Sequence, residues 1–209
     1  MKPVCLVLGA GAGIGGTVAA KFAKEGYHSY LCRRSDQEGL DRLIGNIKEA
    51  GGEASGCLMN AIEENSIEET ITMIEKDIGP IEVLVYNLGA QTGMKLLDQT
   101  SYKEFEWGWR MASFGLFRAA KVLCPLMVER GKGNILVTSA TAAMRGNKNQ
   151  HSHAAAMGAR RMLCQSLNAE FGRQGIHVAH IVVDGAVDAP DTLGKMLGPE
   201  LYQQMRETR

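Results

Sequence analysis

The chain alternates short apolar runs with amphipathic segments along most of its length, and this order constrains the fold more than any other feature. The first apolar run, at 4–8, leads into a turn with five glycines between Gly9 and Gly16, and an amphipathic segment follows. A repeated βαβ order places parallel strands in one sheet with helices on both faces. Because such crossovers are right-handed, the sequence predicts a doubly wound parallel sheet, an α/β fold of three αβα layers that is Rossmann-like.

We predict six strands, at 4–8, 28–33, 53–59, 81–86, 133–139 and 177–183. We predict helices at 13–24, 36–50, 65–77, 102–129, 153–171 and 199–209. Pro125 should kink or break the long fourth helix, because proline cannot donate the backbone hydrogen bond. Ser35 and Glu38 have the spacing of a capping box at the start of the second helix. We expect one domain, spanning residues 1–209.

Composition excludes several classes of protein. The chain of 209 residues has 23 Lys and Arg against 23 Asp and Glu, so its zero net charge gives no electrostatic footprint for nucleic acid or an anionic membrane. We find no apolar run long enough to cross a bilayer and no signal peptide, and we expect a cytoplasmic protein. Five scattered cysteines without a CxxC pair indicate buried, reduced thiols and no metal site.

Two glycine patterns overlap in the turn after the first strand. Gly11, Gly13 and Gly16 fit the general dinucleotide fingerprint, whereas Gly9, Gly13 and Gly15 fit a variant with a wider first gap. Each pattern lets the backbone turn sharply and approach a pyrophosphate, which the start of the next helix would hold with free amides and its positive dipole end. The alternative is a tight turn with a purely structural role.

The variant pattern, with Ile14 between Gly13 and Gly15, resembles the short-chain dehydrogenase/reductase family. The resemblance covers about nine tenths of the chain and implies that this loop, with Gly11 inside it, holds a nicotinamide dinucleotide. Leu8 stands where the family usually has a threonine. The family also has a seventh strand, and nothing after residue 183 predicts one, so we expect the sheet to lack it.

The end of the second predicted strand bears on the choice between NAD and NADP. An NAD site needs a carboxylate here for the ribose 2′-hydroxyl, and the matching residue is Cys32. Arg33 and Arg34 follow, and arginine suits a 2′-phosphate, so we predict NADP. The alternative is that both arginines are solvated surface charges. Asp36, the nearest acid, is better explained as part of a helix start.

Three further strand ends match the resemblance in part. Asn60, followed by Ala61, stands where the family usually has an aspartate beside the adenine. Asn87 and Gly89 match a stretch of the family that ties strands together and lets the adenosine ribose approach. Gly185 keeps the glycine of a Pro-Gly pair after the sixth strand, where Asp184 replaces the proline.

The positions that would carry catalysis all depart from the family. The resemblance implies a Tyr that exchanges a proton with substrate, a Lys four residues later that lowers the tyrosine pKa and holds the ribose, a Ser that orients the substrate and an Asn in the proton relay. The corresponding residues here are His153, Met157, Ala140 and Ala112. Ser139 and Thr141 flank the serine position. Ala189 stands where the family has a nicotinamide-binding threonine.

Three functions remain open on this sequence. The leading hypothesis is a family member that binds NADP(H) but lacks the usual catalytic groups, and acts as a nucleotide-binding or sensor module. The second is an NADP-dependent oxidoreductase that uses His153 with Ser139 or Thr141 on a small carbonyl or alcohol substrate. The third is a structural partner that binds no nucleotide. The long helices with Phe117 and Ala155 resemble those through which family members dimerise, so we expect a homo-oligomer.

Overall fold

A computed structural model describes residues 1–89, 94–185, 187–189, 193–194 and 197–207. In this part of the chain, six strands form one sheet, in which every neighbouring pair is parallel. The strands are β1 (Val4–Leu8), β2 (His28–Arg33), β3 (Glu53–Leu58), β4 (Ile81–Tyr86), β5 (Gly133–Ala140) and β6 (Ile176–Val183). Their spatial order is β3-β2-β1-β4-β5-β6, so the sequence order reverses between β1 and β4.

Helices cover both faces of the sheet. They are α1 (Ile14–Lys24), α2 (Gln37–Glu49), α3 (Ser66–Asp77), α4 (Tyr102–Trp109), α5 (Gly115–Arg130), α6 (His151–Phe171) and α7 (Pro199–Glu207). Apolar side chains of α1 and α2 pack in one core cluster, and those of α3, α5 and α6 pack in another. The predicted three-layer, doubly wound α/β fold is therefore confirmed, with strand and helix bounds close to the predicted ones.

Strand β1 explains why its sequence is an unbroken apolar run. Val4, Leu6 and Leu8 belong to the core cluster of α3, α5 and α6, whereas Cys5 and Val7 belong to the cluster of α1 and α2. All five residues are fully buried, as a central strand of a parallel sheet requires. The reversal of strand order beside β1 opens a crevice beyond the carboxyl ends of β1 and β4, where such folds bind ligands.

The long fourth helix is interrupted at a different place from the one predicted. α5 continues through Pro125 without a break, and the interruption is a π-helical turn at Arg110–Phe114, between α4 and α5. Two side chains from distant elements donate hydrogen bonds to carbonyls of this turn. Tyr86 on β4 donates to the Met111 carbonyl, and Arg160 on α6 donates to the Ala112 carbonyl. Such tertiary contacts have no signature in the local pattern, which pointed to the proline instead.

The start of α2 also differs from the prediction. Asp36 is the N-cap, with a φ of 73°, and its carboxylate accepts a hydrogen bond of 2.9 Å from the Gly39 amide. The predicted capping box of Ser35 and Glu38 is therefore wrong by one residue, while the assignment of Asp36 to the helix start is confirmed. Asp and Asn visit the left-handed region more readily than other side chains, which suits Asp36 to this place.

The segment Tyr102–Arg130 is, by length and composition, long and apolar enough to cross a membrane. Arg118 and Lys121 interrupt it, so it is not the unbroken apolar run that the sequence was expected to lack. In addition, 61% of its most apolar stretch is buried against the rest of the chain, which is the behaviour of a core helix.

Candidate functional site

The glycine turn between β1 and α1 leaves no room for side chains. Gly9 has a φ of +96°, and a Cβ atom there would lie 2.6 Å from the Asn87 carbonyl oxygen. A Cβ atom on Gly15 would lie 2.3 Å from the Gly9 carbonyl oxygen, and one on Gly16 would lie 2.7 Å from that of Gly11. Both glycine patterns of the sequence thus describe real close approaches of backbone to backbone.

Hydrogen bonds hold this turn to both neighbouring strands. The Asn87 side-chain amide, just beyond β4, donates to the Gly9 carbonyl oxygen at 2.9 Å. The amides of Gly9 and Ala10 both donate to the Cys32 carbonyl oxygen on β2, at 3.0 and 2.9 Å. The turn is therefore fixed in place by β2 on one side and by the end of β4 on the other, as a preformed cradle requires.

The start of α1 can hold an anion. Its N-cap is Gly13, and the described residues provide neither a side-chain cap nor an acidic group in the first turn. First-turn amides have no partner inside a helix, and the dipole gives this end a partial positive charge. The turn and the helix start together form a site for a pyrophosphate.

A cleft of about 680 Å³ lies over this turn and collects most of the predicted cofactor residues. Those that line it are Gly9, Gly11, Gly13, Ile14, Gly15, Arg33, Arg34, Asn87, Gly89 and Gly185. Val187, Ala189 and Leu193 add an apolar wall on the side of β6. The structure thus brings together residues from four strand ends that are up to 176 positions apart in sequence, from Gly9 to Gly185.

Asn60 and Ala61 lie outside the lining of this cleft. The Asn60 side-chain nitrogen donates to Glu63 at 2.9 Å, while its Oδ1 atom is buried and has no hydrogen-bond partner within the described part of the chain. A buried acceptor without a donor is uncommon and suits a ligand that brings one, such as an adenine amino group. The Ala61 carbonyl, by contrast, already accepts a hydrogen bond of 2.8 Å from Arg118.

The two predicted phosphate-binding arginines differ in their surroundings. Arg33 forms an ion pair of 2.8 Å with Asp36, and only 18% of its side chain is exposed. Arg34 is exposed and forms no ion pair or hydrogen bond with any other described residue. Arg34 is therefore the arginine that can turn toward a phosphate without giving up an existing partner.

A small apolar cluster contains residues that the sequence analysis matched to the family's catalytic positions, and these residues lie outside the described lining of the cleft. The Ser139 hydroxyl contacts the Met157 sulfur at 3.7 Å, and both residues are buried. Met157 is part of a small core cluster, whose other buried members are Ala112, Ala142, Ala143 and Ala156. A thioether is at most a weak acceptor, so Met157 can neither hold a ribose hydroxyl as an ammonium would nor stabilise an anion.

The remaining predicted catalytic residues lie around this cluster. His153 is half-buried in the first turn of α6, with its Nδ1 atom inside the protein. Thr141 is exposed and begins a short 3-10 turn at Thr141–Ala143. Ser139 is thus a predicted catalytic residue that contacts Met157, the residue that the sequence analysis matched to the family's lysine.

Sequence reasoning missed Arg160, a charged residue that is only 2% exposed. Its guanidinium donates to the carbonyls of Ala112, Thr138 and Leu88 at 2.9, 2.6 and 2.6 Å, and it lies 5.2 Å from the centre of the Tyr86 ring. Burial lowers the pKa of Arg160, and burial raises the pKa of the Tyr86 hydroxyl. The spacing of buried residues along α6 was the available signal, because position 160 lies on the same stripe as 156, 157 and 164.

Fold and cleft together define a dinucleotide-binding protein of the doubly wound class. The family model for short chain dehydrogenase matches residues 3–194, and the chain belongs to this family.

Among curated relatives, the chain is similar to the 7alpha-hydroxysteroid dehydrogenase of Escherichia coli (strain K12). The two are 28% identical over 200 residues, which make up 96% of this chain and 76% of that protein.

Solved structures agree with this assignment. A short-chain dehydrogenase from Rhodopseudomonas palustris has a TM-score of 0.82 and 31% identity, with 86% of this chain and 84% of that chain covered. A gluconate 5-dehydrogenase from Burkholderia cenocepacia J2315, solved in complex with NADP and tartrate, has a TM-score of 0.79 and 25% identity. That comparison covers 87% of this chain and 71% of the other.

Proposed function

We propose that this member of the short-chain dehydrogenase family binds NADP(H) in the cleft over the glycine turn but lacks the family's catalytic groups. It acts as a nucleotide-binding or sensor module. The observation that carries the proposal is the contact between Ser139 and Met157, which belongs to an apolar cluster, in a chain whose glycine turn fits a pyrophosphate. The bound nicotinamide supplies a hydride, but a turnover also needs a proton donor with a cation beside it, and Met157 supplies no charge.

Several features of the chain support a dinucleotide as the ligand. The glycine turn fits a pyrophosphate. Among the described residues, the Asn60 Oδ1 atom and Arg34 have no partner, so the first fits an adenine amino group and the second fits a 2′-phosphate. The complex of the related gluconate 5-dehydrogenase contains NADP, which agrees with that choice. NADPH is therefore the form that we propose, with Arg34 as the residue that distinguishes it from NADH.

The first experiment measures binding by the change in NADPH fluorescence on addition of the protein. We expect saturable binding, with NADH weaker. Arg34→Ala should weaken NADPH binding by about tenfold and leave NADH binding unchanged, because a charge-assisted hydrogen bond to the 2′-phosphate is lost. Arg33→Ala is the matched control and should have the smaller effect on this preference, since Asp36 already holds Arg33. Absence of any binding would leave only the structural-partner hypothesis.

The second experiment tests turnover. A panel of carbonyl and alcohol substrates is mixed with protein and NADPH or NADP, and the absorbance of the reduced nicotinamide is followed. We expect binding without turnover. A rate that His153→Ala abolishes would instead establish the alternative function, an active NADP-dependent oxidoreductase in which His153 replaces the tyrosine. The half-buried place of His153 at the start of α6 is the observation in favour of that alternative.

We also propose that the protein is a homodimer that buries an aromatic stripe on the long helices. The rings of Trp109, Phe114 and Phe117 stack on one another, with centroids 5.3 and 6.4 Å apart, and are 38–46% exposed. On α6, Met162 is 50% exposed and Ala155 also faces outward. Exposed apolar side chains grouped as these three rings are typical of an interface. Sedimentation should show a dimer that Phe117→Glu converts to monomer, whereas an unchanged mass would refute the interface.

We also propose that residues 1–209 form one domain and that the protein resides in the cytoplasm. The cytoplasmic location is supported by five cysteines that are all free thiols, as is usual in a reducing compartment.

A further inference from the structure

Two of the thiols lie opposite each other near the candidate dinucleotide site. Cys32 on β2 and Cys57 on β3 are direct partners in the parallel register, and their sulfur atoms are 3.9 Å apart. Cys32 is fully buried, whereas Cys57 is half-buried, which corrects the expectation of five buried thiols. The remaining cysteines, Cys5, Cys124 and Cys164, are all buried.

The backbone around this pair favours closure to a disulfide. A disulfide needs a sulfur–sulfur distance of about 2 Å, so the two sulfurs must approach by about another 2 Å. β3 is at the edge of the described sheet and is bonded on one side alone, so it can shift without disturbing a second strand. Gly56 already lets β3 approach β2 closely, since a Cβ atom there would lie 2.2 Å from the Leu31 carbonyl oxygen.

The surroundings of the two thiols differ in a way that assigns their roles. Hydrogen bonds from Cys32 and from the Tyr30 hydroxyl lower the pKa of Cys57, although desolvation opposes them. The pKa of the buried Cys32 is raised, because its thiol donates a hydrogen bond to Cys57 and desolvation disfavours its thiolate. The half-buried Cys57 is thus the thiol that an outside reagent meets first, and Cys32 is placed to attack it afterwards.

The pair is linked to the glycine turn through one carbonyl group. The Cys32 carbonyl oxygen accepts the hydrogen bonds from the Gly9 and Ala10 amides that hold the turn. Arg33 follows directly, and its own carbonyl accepts a bond of 2.8 Å from the Met59 amide. Closure draws β2 and β3 together, and the part of this movement that falls on Cys32 shifts the acceptor on which the pyrophosphate cradle depends.

We propose that Cys57 and Cys32 form a peroxide-responsive dithiol whose oxidation weakens the dinucleotide site. The Cys57 thiolate attacks one oxygen of hydrogen peroxide, so an S–O bond forms, the O–O bond breaks and hydroxide leaves to become water. Cys57 is then a sulfenic acid. Cys32 attacks this sulfur, an S–S bond forms, and the S–O bond breaks with loss of a second water that takes the Cys32 proton. In total, one peroxide oxidises two thiols to one disulfide and yields two waters.

The first test maps the disulfide in the full chain and does not depend on dinucleotide binding. Protein is treated with hydrogen peroxide, free thiols are blocked with an alkylating reagent, and peptides are identified by mass spectrometry. We expect a Cys32–Cys57 cross-linked peptide that is absent from Cys57→Ser. Cys32→Ser should accumulate sulfenic acid at Cys57, which a dimedone probe traps. Cys124→Ser is the control and should keep the cross-link.

Two results would overturn the pair. One is wild-type protein in which Cys57 stays fully alkylated after peroxide treatment. The other is cross-linking that involves Cys5, Cys124 or Cys164 as often as it involves Cys32 and Cys57. Because these results come from the wild-type chain, they hold even where a serine variant fails to fold. Cys57→Ala provides a second variant for the loss of the cross-link.

The second test measures coupling to the site, and this part rests on the proposed function. We expect oxidation to raise the Kd for NADPH by about fivefold or more, a usual size for coupling between sites. Linkage requires the reciprocal effect, so saturating NADPH must lower the ratio of oxidised to reduced protein in a glutathione buffer by the same factor. A disulfide that leaves the Kd unchanged would refute the coupling. A protein that forms the disulfide but never binds NADPH would refute the proposed function alone.

Discussion

Arg160 shows at the scale of one residue how a buried charge is accommodated without a carboxylate. Its three hydrogen bonds go to backbone carbonyls at the ends of β4 and β5 and in the π-turn. The face of the Tyr86 ring lies beside it. The guanidinium has five donors in a planar fork, so one side chain can serve acceptors on three separate elements. It therefore holds together the π-turn, β5 and the segment that follows β4.

Replacement of Arg160 by leucine should destabilise the protein by about 3 kcal/mol or more. The change leaves three carbonyls without their donor, and each buried unsatisfied group costs about 1–3 kcal/mol. Arg161→Leu is the matched control, because Arg161 is only partly buried and should change stability by less than about 0.5 kcal/mol. Urea denaturation followed by circular dichroism measures both. Equal losses in the two variants would contradict the role assigned to Arg160.

Gly9 should be the least replaceable glycine of the turn. In Gly9→Ala the new Cβ atom meets the Asn87 carbonyl at 2.6 Å in a left-handed conformation, so we expect a loss of stability of about 2 kcal/mol and no NADPH binding. Gly146→Ala is the control, since a Cβ there meets nothing within 4 Å and the backbone is not left-handed. Thermal unfolding and NADPH fluorescence provide the readouts. Normal binding by Gly9→Ala would show that the cradle is elsewhere.

The sequence predicted the glycine turn better than the rest of the candidate site. Glycines at fixed offsets after an apolar run describe a local backbone path, so the turn at Gly9 could be placed from spacing alone. Arg160 could not be placed so easily, because its acceptors are 48, 22 and 72 positions away in sequence. The difference between Arg33 and Arg34 was hidden for a related reason, since it depends on the rotamer that joins Arg33 to Asp36.

At the scale of elements, the same contrast appears in the long helix. The local pattern predicted a helix from 102 to 129, with an interruption at Pro125. The π-turn at Arg110–Phe114 depends instead on Tyr86 and Arg160, which lie on other elements. Gly115 is part of this arrangement, because a Cβ atom there would lie 2.3 Å from the Tyr86 hydroxyl. Local propensity thus determined that a helix forms, and packing determined where it is distorted.

The ion pair of Arg118 on α5 with Glu68 on α3 makes stability depend on pH. Arg118 donates from Nε and Nη2 to the two carboxylate oxygens of Glu68, at 2.8 and 2.5 Å, and these bonds lower the pKa of Glu68 from its ordinary value of 4.5. A carboxylate whose folded-state pKa is lowered stabilises the protein above its unfolded pKa. That stabilisation is lost as the pH falls through the folded-state value.

Glu68→Gln should therefore be less stable than wild type at neutral pH, by about 1–2 kcal/mol. The difference should shrink as the pH is lowered below 4.5, because wild type then loses the same charge. Urea midpoints between pH 7 and pH 3 measure this. The control is Glu69→Gln, because Glu69 is an exposed neighbour in the first turn of α3. Its urea midpoint should change with pH as that of wild type does. A difference that stays constant with pH would show that the charge of Glu68 is not the cause.

For the whole molecule, burial decreases from the centre of the sheet to its edges. β1 is buried along its full length, between β2 and β4, whereas β3 and β6 end the described order of strands and are partly exposed. On β6, Ile181 and Val182 are 45% and 39% exposed. An edge strand has half of its amides directed away from its single neighbour. Local openings should therefore be easiest at the two edges and hardest at the centre.

Hydrogen exchange followed by mass spectrometry should resolve this gradient. We expect the amides of β1 and β4 to exchange slowest, through global unfolding, and those of β3 and β6 to exchange about tenfold faster or more. NADPH should slow exchange most in the turn from Gly9 to Gly15, since a ligand stabilises the state that it binds. The dilute protein is the reference for each comparison. If β6 is protected from exchange as strongly as β1 at every protein concentration, other residues of the same chain cover this edge. If that protection is lost on dilution, a second copy of the chain covers it.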